Sequence, residues 1–325
     1  MLDLTFWRFV VRRAIFSAIV VLVVVILSFT LIRLAPGDPA ELLAGEAASP
    51  EYVAAIKKVY GLDRPIYEQL AIYISGIIRG DLGFSISFSR PVLDVIFERL
   101  PQTILLVGSA IVIALSLGIF LGILSARKAF KIQDTLITGI TLTLYSTPVF
   151  WLGMMLILVF SLWIPLFPTG GYFGIGVEKD PLEFALSVIW HLTLPACTLS
   201  VFFLALYTRL TRAGLLDALS SNYIVGARSK GVPERTLLYR HALKNALLPI
   251  VTVAAIQIGL MVGGVVLTEG VFSWPGVGQL LIQAVGYRDY ILVTGIFLIT
   301  AVSVSIANFA ADIIYAIIDP RIRTG

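Results

Sequence analysis

Six stretches of this chain contain no Asp, Glu, Lys or Arg: residues 14–32, 101–126, 135–161, 184–208, 246–268 and 290–311. This constrains the fold more than any other feature. A helix needs ~20 apolar residues to cross the hydrocarbon core of a bilayer. No water reaches that zone to satisfy a bare backbone, so a segment of this kind spans as a helix. Charged residues make up only 14% of the chain, against about 25% in soluble domains. The expectation is an all-α polytopic membrane protein with six transmembrane helices. The third span is expected to end at residue 163, ahead of Pro165, Pro168, Gly170 and Gly171. The first exceeds the ~7–15 apolar residues of a signal peptide, and no small-residue cleavage site follows it before Arg33, so it reads as a retained span.

Six spans place both termini on one side. Fifteen of the 24 Lys and Arg fall on that side, in residues 1–13, in the turn before residue 135, in residues 209–245 and in residues 312–325. Short loops rich in Lys and Arg stay cytoplasmic, so these segments are expected inside. Residues 33–100 and 269–289 are then extracytoplasmic. The net charge of +4 reflects this asymmetry and implies no nucleic-acid partner. Cys197 is the only cysteine, which leaves no internal disulfide. His191 and His241 fall in different compartments and do not read as a metal pair.

The chain lacks a G-x-x-x-x-G-K-[ST] phosphate loop, an H-E-x-x-H pair and a G-x-S-x-G elbow, so no enzyme and no ATP site is expected. Its spans also lack the Asp, Glu or His relay that ion-coupled carriers place at mid-membrane. The polar side chains that remain near the membrane path are Gln257, Thr268, Glu269 and Asn308, the candidate solute pathway.

Outside the spans, Ser49, Pro50 and Glu51 form a helix start, with Gly61 as its stop. Pro65 opens a second amphipathic helix ending near Gly80, and residues 84–89 alternate as a short strand. This region reads either as a cap on the outer face or as a contact surface for an external partner. Residues 269–289 are too apolar for a solvated loop and read as a short helix dipping back against the bundle, with Ser273 as N-cap and Pro275 near its first turn. Pro148 and Pro195 lie within spans, as kinks or as hinges. Gly118 and Gly122 have the spacing of close helix packing.

Between the fourth and fifth runs lies a basic helix-forming segment. Residues 213–230 read as one helix and residues 233–247 as the next. Gly231 sits where a helix ends in a left-handed residue, Pro233 pre-sets the entry to the second arm, and Glu234 suits its positive N-terminus. The result is an elbow carrying Arg228, Lys230, Arg235 and Arg240. The residues alone leave two readings, contact with anionic lipid headgroups and contact with another protein.

The elbow resembles the signature loop of ABC importer permeases: E-A-A, three residues, Gly, then nine residues to I-x-L-P. Anchored on Gly231, the triplet falls on Val225, Gly226 and Ala227, and the closing group on His241, Ala242, Leu243 and Lys244. The signature's Glu and final Pro are absent. The form Y-I-V-G-A-R-S-K-G-V-P-E-R is similar to the dipeptide/oligopeptide/nickel branch of that family. So are L-I-R-L-A-P-G-D-P at residues 31–39, G-L-D-R-P-I-Y-E-Q-L at 61–70 and G-D-L-G-F-S at 80–85. Further matches are R-L-P-Q-T at 99–103, E-G-V-F-S-W-P-G-V-G at 269–278 and D-P-R-I-R at 319–323. The long first external loop resembles that of the B-type subunit of a heteromeric pair.

The resemblance implies a type I importer permease with a transmembrane domain over residues 99–316. It implies a related second permease, two cytoplasmic ATPases that use ATP and Mg, an external solute-binding protein, and no cofactor on this chain. It assigns coupling to the ATPase to Val225, Gly226, Ala227, Arg228, Lys230, Gly231, Pro233, Glu234 and Arg235. Either Arg228 or Glu234 then stands in for the missing signature Glu. The solute expected is a peptide or a related small solute, with nickel or an oligosaccharide as alternatives. The rival readings are an ion-coupled carrier or passive channel with a lipid-anchored loop and, more remotely, a membrane scaffold.

Overall fold

The computed structural model describes residues 4–34, 49–59, 63–247, 250, 253–254 and 265–318. In chain order the helices are α1 Leu4–Leu34, α2 Pro50–Val59, α3 Ile66–Ile78, α4 Val92–Arg127, α5 Ile132–Ser146, α6 Val149–Ile157 and α7 Pro181–Ser220. They continue with α8 Asn222–Ser229, α9 Glu234–Thr236, α10 Val266–Val271, α11 Val277–Gly286 and α12 Tyr290–Ile318. One small hairpin, β1 Phe84–Ser85 with β2 Arg90–Pro91, precedes α4. Wider π-helical turns extend α6 through Leu158–Trp163 and α9 through Leu237–Ala242.

Among the described residues, four helices, α1, α4, α7 and α12, have stretches long and apolar enough to cross a membrane, and α5 with the α6 segment forms a fifth, broken unit. Most of the run at residues 246–268, with Gln257, lies outside the described residues, as do Gly61 and the 319–323 motif. The architecture is all-α and polytopic.

The bundle is organised around α4 and α7. Leu106, Ala110 and Ala114 of α4 bury against Leu199, Phe203 and Tyr207 of α7. The two backbones approach closely because Gly118 and Gly122 face the partner helix. A methyl group on Gly118 would lie 2.6 Å from Cβ of Tyr207, and one on Gly122 would collide with the Thr211 side chain. Small residues allow such an approach where lipid supplies no hydrophobic drive between helices. Helix α1 packs along α12 from the outside, with an Arg13–Asp312 ion pair at 3.2 Å.

The third uncharged run is bent sharply. Helices α5 and α6 meet at 99°, with Thr147 extended at φ −80°, ψ 130°. Pro148 offers no N–H to the preceding turn and pushes the residue before it out of helical space. Pro195 sits within the uninterrupted α7, so the two prolines differ in outcome. Hydroxyls in these segments bond within their own helix. Thr141, Thr198 and Thr211 each donate to the carbonyl four residues back.

The external helices start where the local signals place them, but of residues 84–89 only Phe84–Ser85 are strand and the rest form the hairpin turn. Pro50 opens α2, and Pro65 immediately precedes α3. The hairpin is fastened to the start of α12. Asp289 Oδ2 accepts from Ser85 Oγ at 2.6 Å and from the Ser87 amide at 3.1 Å, while Oδ1 accepts from the Leu292 amide.

Candidate functional site

Helix α7 has 40 residues. At about 1.5 Å per residue it is about 60 Å long, twice the ~30 Å hydrocarbon core. It therefore projects well beyond a bilayer, and the elbow is mounted on that projection. The sequence reading of one helix over 213–230 needs correction here. Helix α7 ends at Ser220, and Ser221 is extended at φ −74°, ψ 151°. The amide and hydroxyl of Ser221 both bond to the Ala218 carbonyl, at 3.2 and 2.5 Å, which terminates α7 and frees the chain to turn into α8. The second arm also departs from a uniform α-helix, through the π turn Leu237–Ala242.

The corner between α8 and α9 closes as a Schellman motif. The Val232 amide reaches the Ala227 carbonyl at 3.3 Å, and the Gly231 amide reaches Arg228 at 3.0 Å. This closure needs a left-handed residue, and Gly231 has φ +78°. A bidentate pair then spans the corner, from Arg228 Nε to Glu234 Oε1 at 2.6 Å and from Nη2 to Oε2 at 3.3 Å. Each partner favours the other's charged form, raising the Arg228 pKa and lowering that of Glu234.

The elbow has two faces. Ile224, Leu237, Leu238 and Ala242 bury against Ile123 and Ala126 at the end of α4 and against Leu215 and Ala218 of α7. Ala227 and Val232 pack on the same cluster. The opposite face exposes Val225, Gly226, Lys230, Gly231, Pro233 and Arg235, with Tyr223, Tyr239 and Arg240 nearby. The nine residues singled out from the sequence thus divide. Six are exposed without an ion pair among the described residues, Arg228 and Glu234 are exposed but paired with each other, and Ala227 faces inward.

Next to the elbow is a carboxylate node that sequence reading missed. Asp134, at the start of α5, is 5% exposed. It accepts from Arg212 Nε and Nη2 of α7, both at 2.7 Å, from the Phe130 amide at 2.9 Å and from Ser125 Oγ of α4. The Arg212 hydrogen bonds hold the Asp134 carboxyl well below the usual carboxylate range. Helices α4, α5 and α7 are joined through one side chain next to the elbow.

At the opposite end of α4, the segment from α10 to α11 forms a tight turn, the one that reads in the sequence as re-entrant. Its N-cap is Gly276 rather than Ser273, and Pro275 lies outside the helix. Ser273 has φ +49°, so it turns the chain and does not cap. The capping oxygen comes from Glu269, whose Oε2 accepts from the Gly278 amide at 2.7 Å and from the Gln279 amide at 3.0 Å. Thr103 Oγ1 of α4 donates to Glu269 Oε1 at 2.7 Å and accepts from the Val277 amide at 2.8 Å. Trp274 donates to the Gln102 carbonyl at 2.9 Å. The R-L-P-Q-T and E-G-V-F-S-W-P-G-V-G motifs are therefore two halves of one contact.

This corrects the solute pathway. Thr268 is 1% exposed and Glu269 is fully buried, and the Glu269 carboxylate is consumed by three donors. Neither side chain is open to a passing solute. Asn308 is half-buried on α12, and Gln257 is outside the described residues.

The chain is similar to known membrane transport components. The family model described as "Binding-protein-dependent transport system inner membrane component" matches residues 118–324, and an N-terminal model of the same kind of membrane component matches residues 6–107. The chain is 39% identical to the oligopeptide transport system permease protein AppB of Bacillus subtilis, over 97% of this chain and 99% of that protein. It is 37% identical to the dipeptide transport system permease protein DppB of Escherichia coli K12, over 97% and 98%. The DppB of Alkalihalophilus pseudofirmus is 35% identical, over 97% and 99%.

Proposed function

The chain belongs to the family of binding-protein-dependent transport system inner membrane components, and from that premise we propose that it forms half of the translocation path for peptides. It is a multi-pass permease subunit of an ABC importer and not an enzyme. The observation that carries the mechanism is the two-faced elbow. Its inner side is continuous with the ends of α4 and α7, and its outer side is unpartnered within the described residues.

In this reading the elbow lies in the cytoplasm with both termini. One of two ATPases docks on the exposed Val225, Gly226, Lys230, Gly231 and Arg235, and the ATPase pair alone binds ATP and Mg. Their closure pushes the elbow, and the inner face passes the displacement into α4 and α7 because its apolar contacts are close-packed and transmit strain. The Asp134–Arg212 node carries the same displacement into α5. A related permease supplies the other half of the path, and an external binding protein delivers the solute. A peptide is favoured because the relatives named above are oligopeptide and dipeptide permeases. The missing signature Glu is replaced by an internal Arg228–Glu234 pair that stiffens the corner.

The test is Gly231→Leu in the reconstituted importer. A left-handed conformation costs a residue with Cβ roughly 1–2 kcal/mol, enough to reshape the corner and leave the bundle folded. Peptide uptake and peptide-stimulated ATPase turnover should both fall while the subunits still co-purify. Undiminished uptake contradicts the assignment.

A further inference from the structure

A groove of about 940 Å³ runs between α5 and α7 on the elbow side of the bundle, and beyond the Asp134–Arg212 pair on its rim the transport mechanism does not use it. Its volume is at the upper end of the ~300–1,000 Å³ typical of ligand pockets. Its lining changes character along its length. Asp134, Arg209 and Arg212 form the end near the elbow, while Gly139, Leu142 and Leu206 form walls deeper in the spans. Gly139 faces open space, since a methyl group placed there would meet no atom within 4 Å.

The two arginines at the polar end differ. Arg212 is neutralised by the bidentate bond to Asp134, whereas Arg209 is exposed and has no ion pair among the described residues. The turn beside it adds Arg127, Lys128 and Lys131, also exposed and unpaired among the described residues. Phe130 closes this end in an unusual way. It has φ +63°, rare for a bulky residue, and it is 88% exposed, with the Arg212 guanidinium 5.7 Å from its ring centroid. The Asp134 bond to the Phe130 amide holds that conformation.

From this arrangement we infer that the α5–α7 groove is a binding site for one anionic phospholipid of the adjacent leaflet. The acyl chain lies against Gly139, Leu142 and Leu206, and the phosphate meets Arg209. The direction of the polarity gradient selects this ligand. A cation lies at headgroup level and apolar walls lie at chain depth, as for basic pockets between spans that take anionic headgroups. A helix from a second permease would fill the apolar walls but would not by itself neutralise Arg209.

The experiment uses the assembled importer in nanodiscs containing phosphatidylcholine and phosphatidylglycerol. Retained lipid is counted by native mass spectrometry after detergent extraction. The wild type should keep phosphatidylglycerol in preference to phosphatidylcholine. Arg209→Gln should reduce that retention about fivefold, the worth of one basic side chain at an anionic surface. Gly139→Trp, which fills the apolar end and leaves the charges intact, should also displace the lipid. If only Arg209→Gln has an effect, the site holds a phosphate-like anion and no lipid chain, and the inference fails. Equal retention in all three proteins overturns it as well. So does a photo-cross-linker at Leu142 that captures the second permease instead of lipid.

Discussion

The elbow and the re-entrant turn are built from the same parts and used in opposite ways. Each is a tight corner between short helices, each depends on glycine, and each contains one glutamate. At the re-entrant turn, Glu269 is fully buried, and its carboxylate receives Thr103 and two backbone amides. At the elbow, the Glu234 side chain is 68% exposed and, among the described residues, bonds to Arg228 alone. A corner whose buried carboxylate is satisfied from within is a joint of the chain itself. A corner with a close-packed inner side and an open outer side is half of a contact.

That contrast predicts a graded series of effects. The largest belongs to Glu269→Ala, which leaves two amides and the Thr103 hydroxyl without their acceptor in a buried setting. The expected loss is about 3 kcal/mol, read as a drop in thermal stability of the solubilised complex. Glu269→Gln keeps an acceptor and should lose less. If the alanine variant is as stable as wild type, the re-entrant turn is not the joint described.

Gly231→Leu comes next and should separate the two corners. It acts on a solvent-facing residue, so bundle stability should change by less than the ~1–2 kcal/mol local strain, while coupled ATP turnover falls. Loss of stability equal to that of Glu269→Ala would erase the distinction.

The Asp134 node lies between the two in character, buried yet next to the elbow. Because its folded pKa is depressed, its contribution is present above the unfolded value near 3.9 and is lost as pH falls through the folded value. From pH 8 to pH 5 its share of stability should stay flat. In Asp134→Asn, the part of acid destabilisation that arises below about pH 4 should be missing. The smallest effect is expected from Arg228→Gln. Exposed ion pairs contribute little to stability, so melting should not move, although turnover becomes more sensitive to the shape of the corner.

Some of this was legible in the sequence and some was not, for reasons the structure makes plain. Uncharged runs mark membrane-crossing helices because the bilayer penalises charge, and four of the six lie within α1, α4, α7 and α12. Gly231 announced its left-handed corner, and the Gly118–Gly122 spacing announced the α4–α7 approach. The 99° bend at Pro148 was only half visible, since proline marks a break and neighbours set its angle. Ser273 misled as a cap because the true capping group, Glu269, reaches forward from the preceding helix. Its partner Thr103 is 166 residues away, and Asp134 lies 78 residues from Arg212. Pairings at such separations leave no periodic trace.

The most direct test asks whether the outer face of the elbow is covered on assembly. In a Cys197→Ala background, Val225→Cys is reacted with a water-soluble maleimide in the isolated permease and in the complete importer. Val225→Cys should react readily in the permease alone and be strongly protected with the ATPases bound, with further protection on ATP-driven closure. Equal reactivity in both preparations would contradict the account.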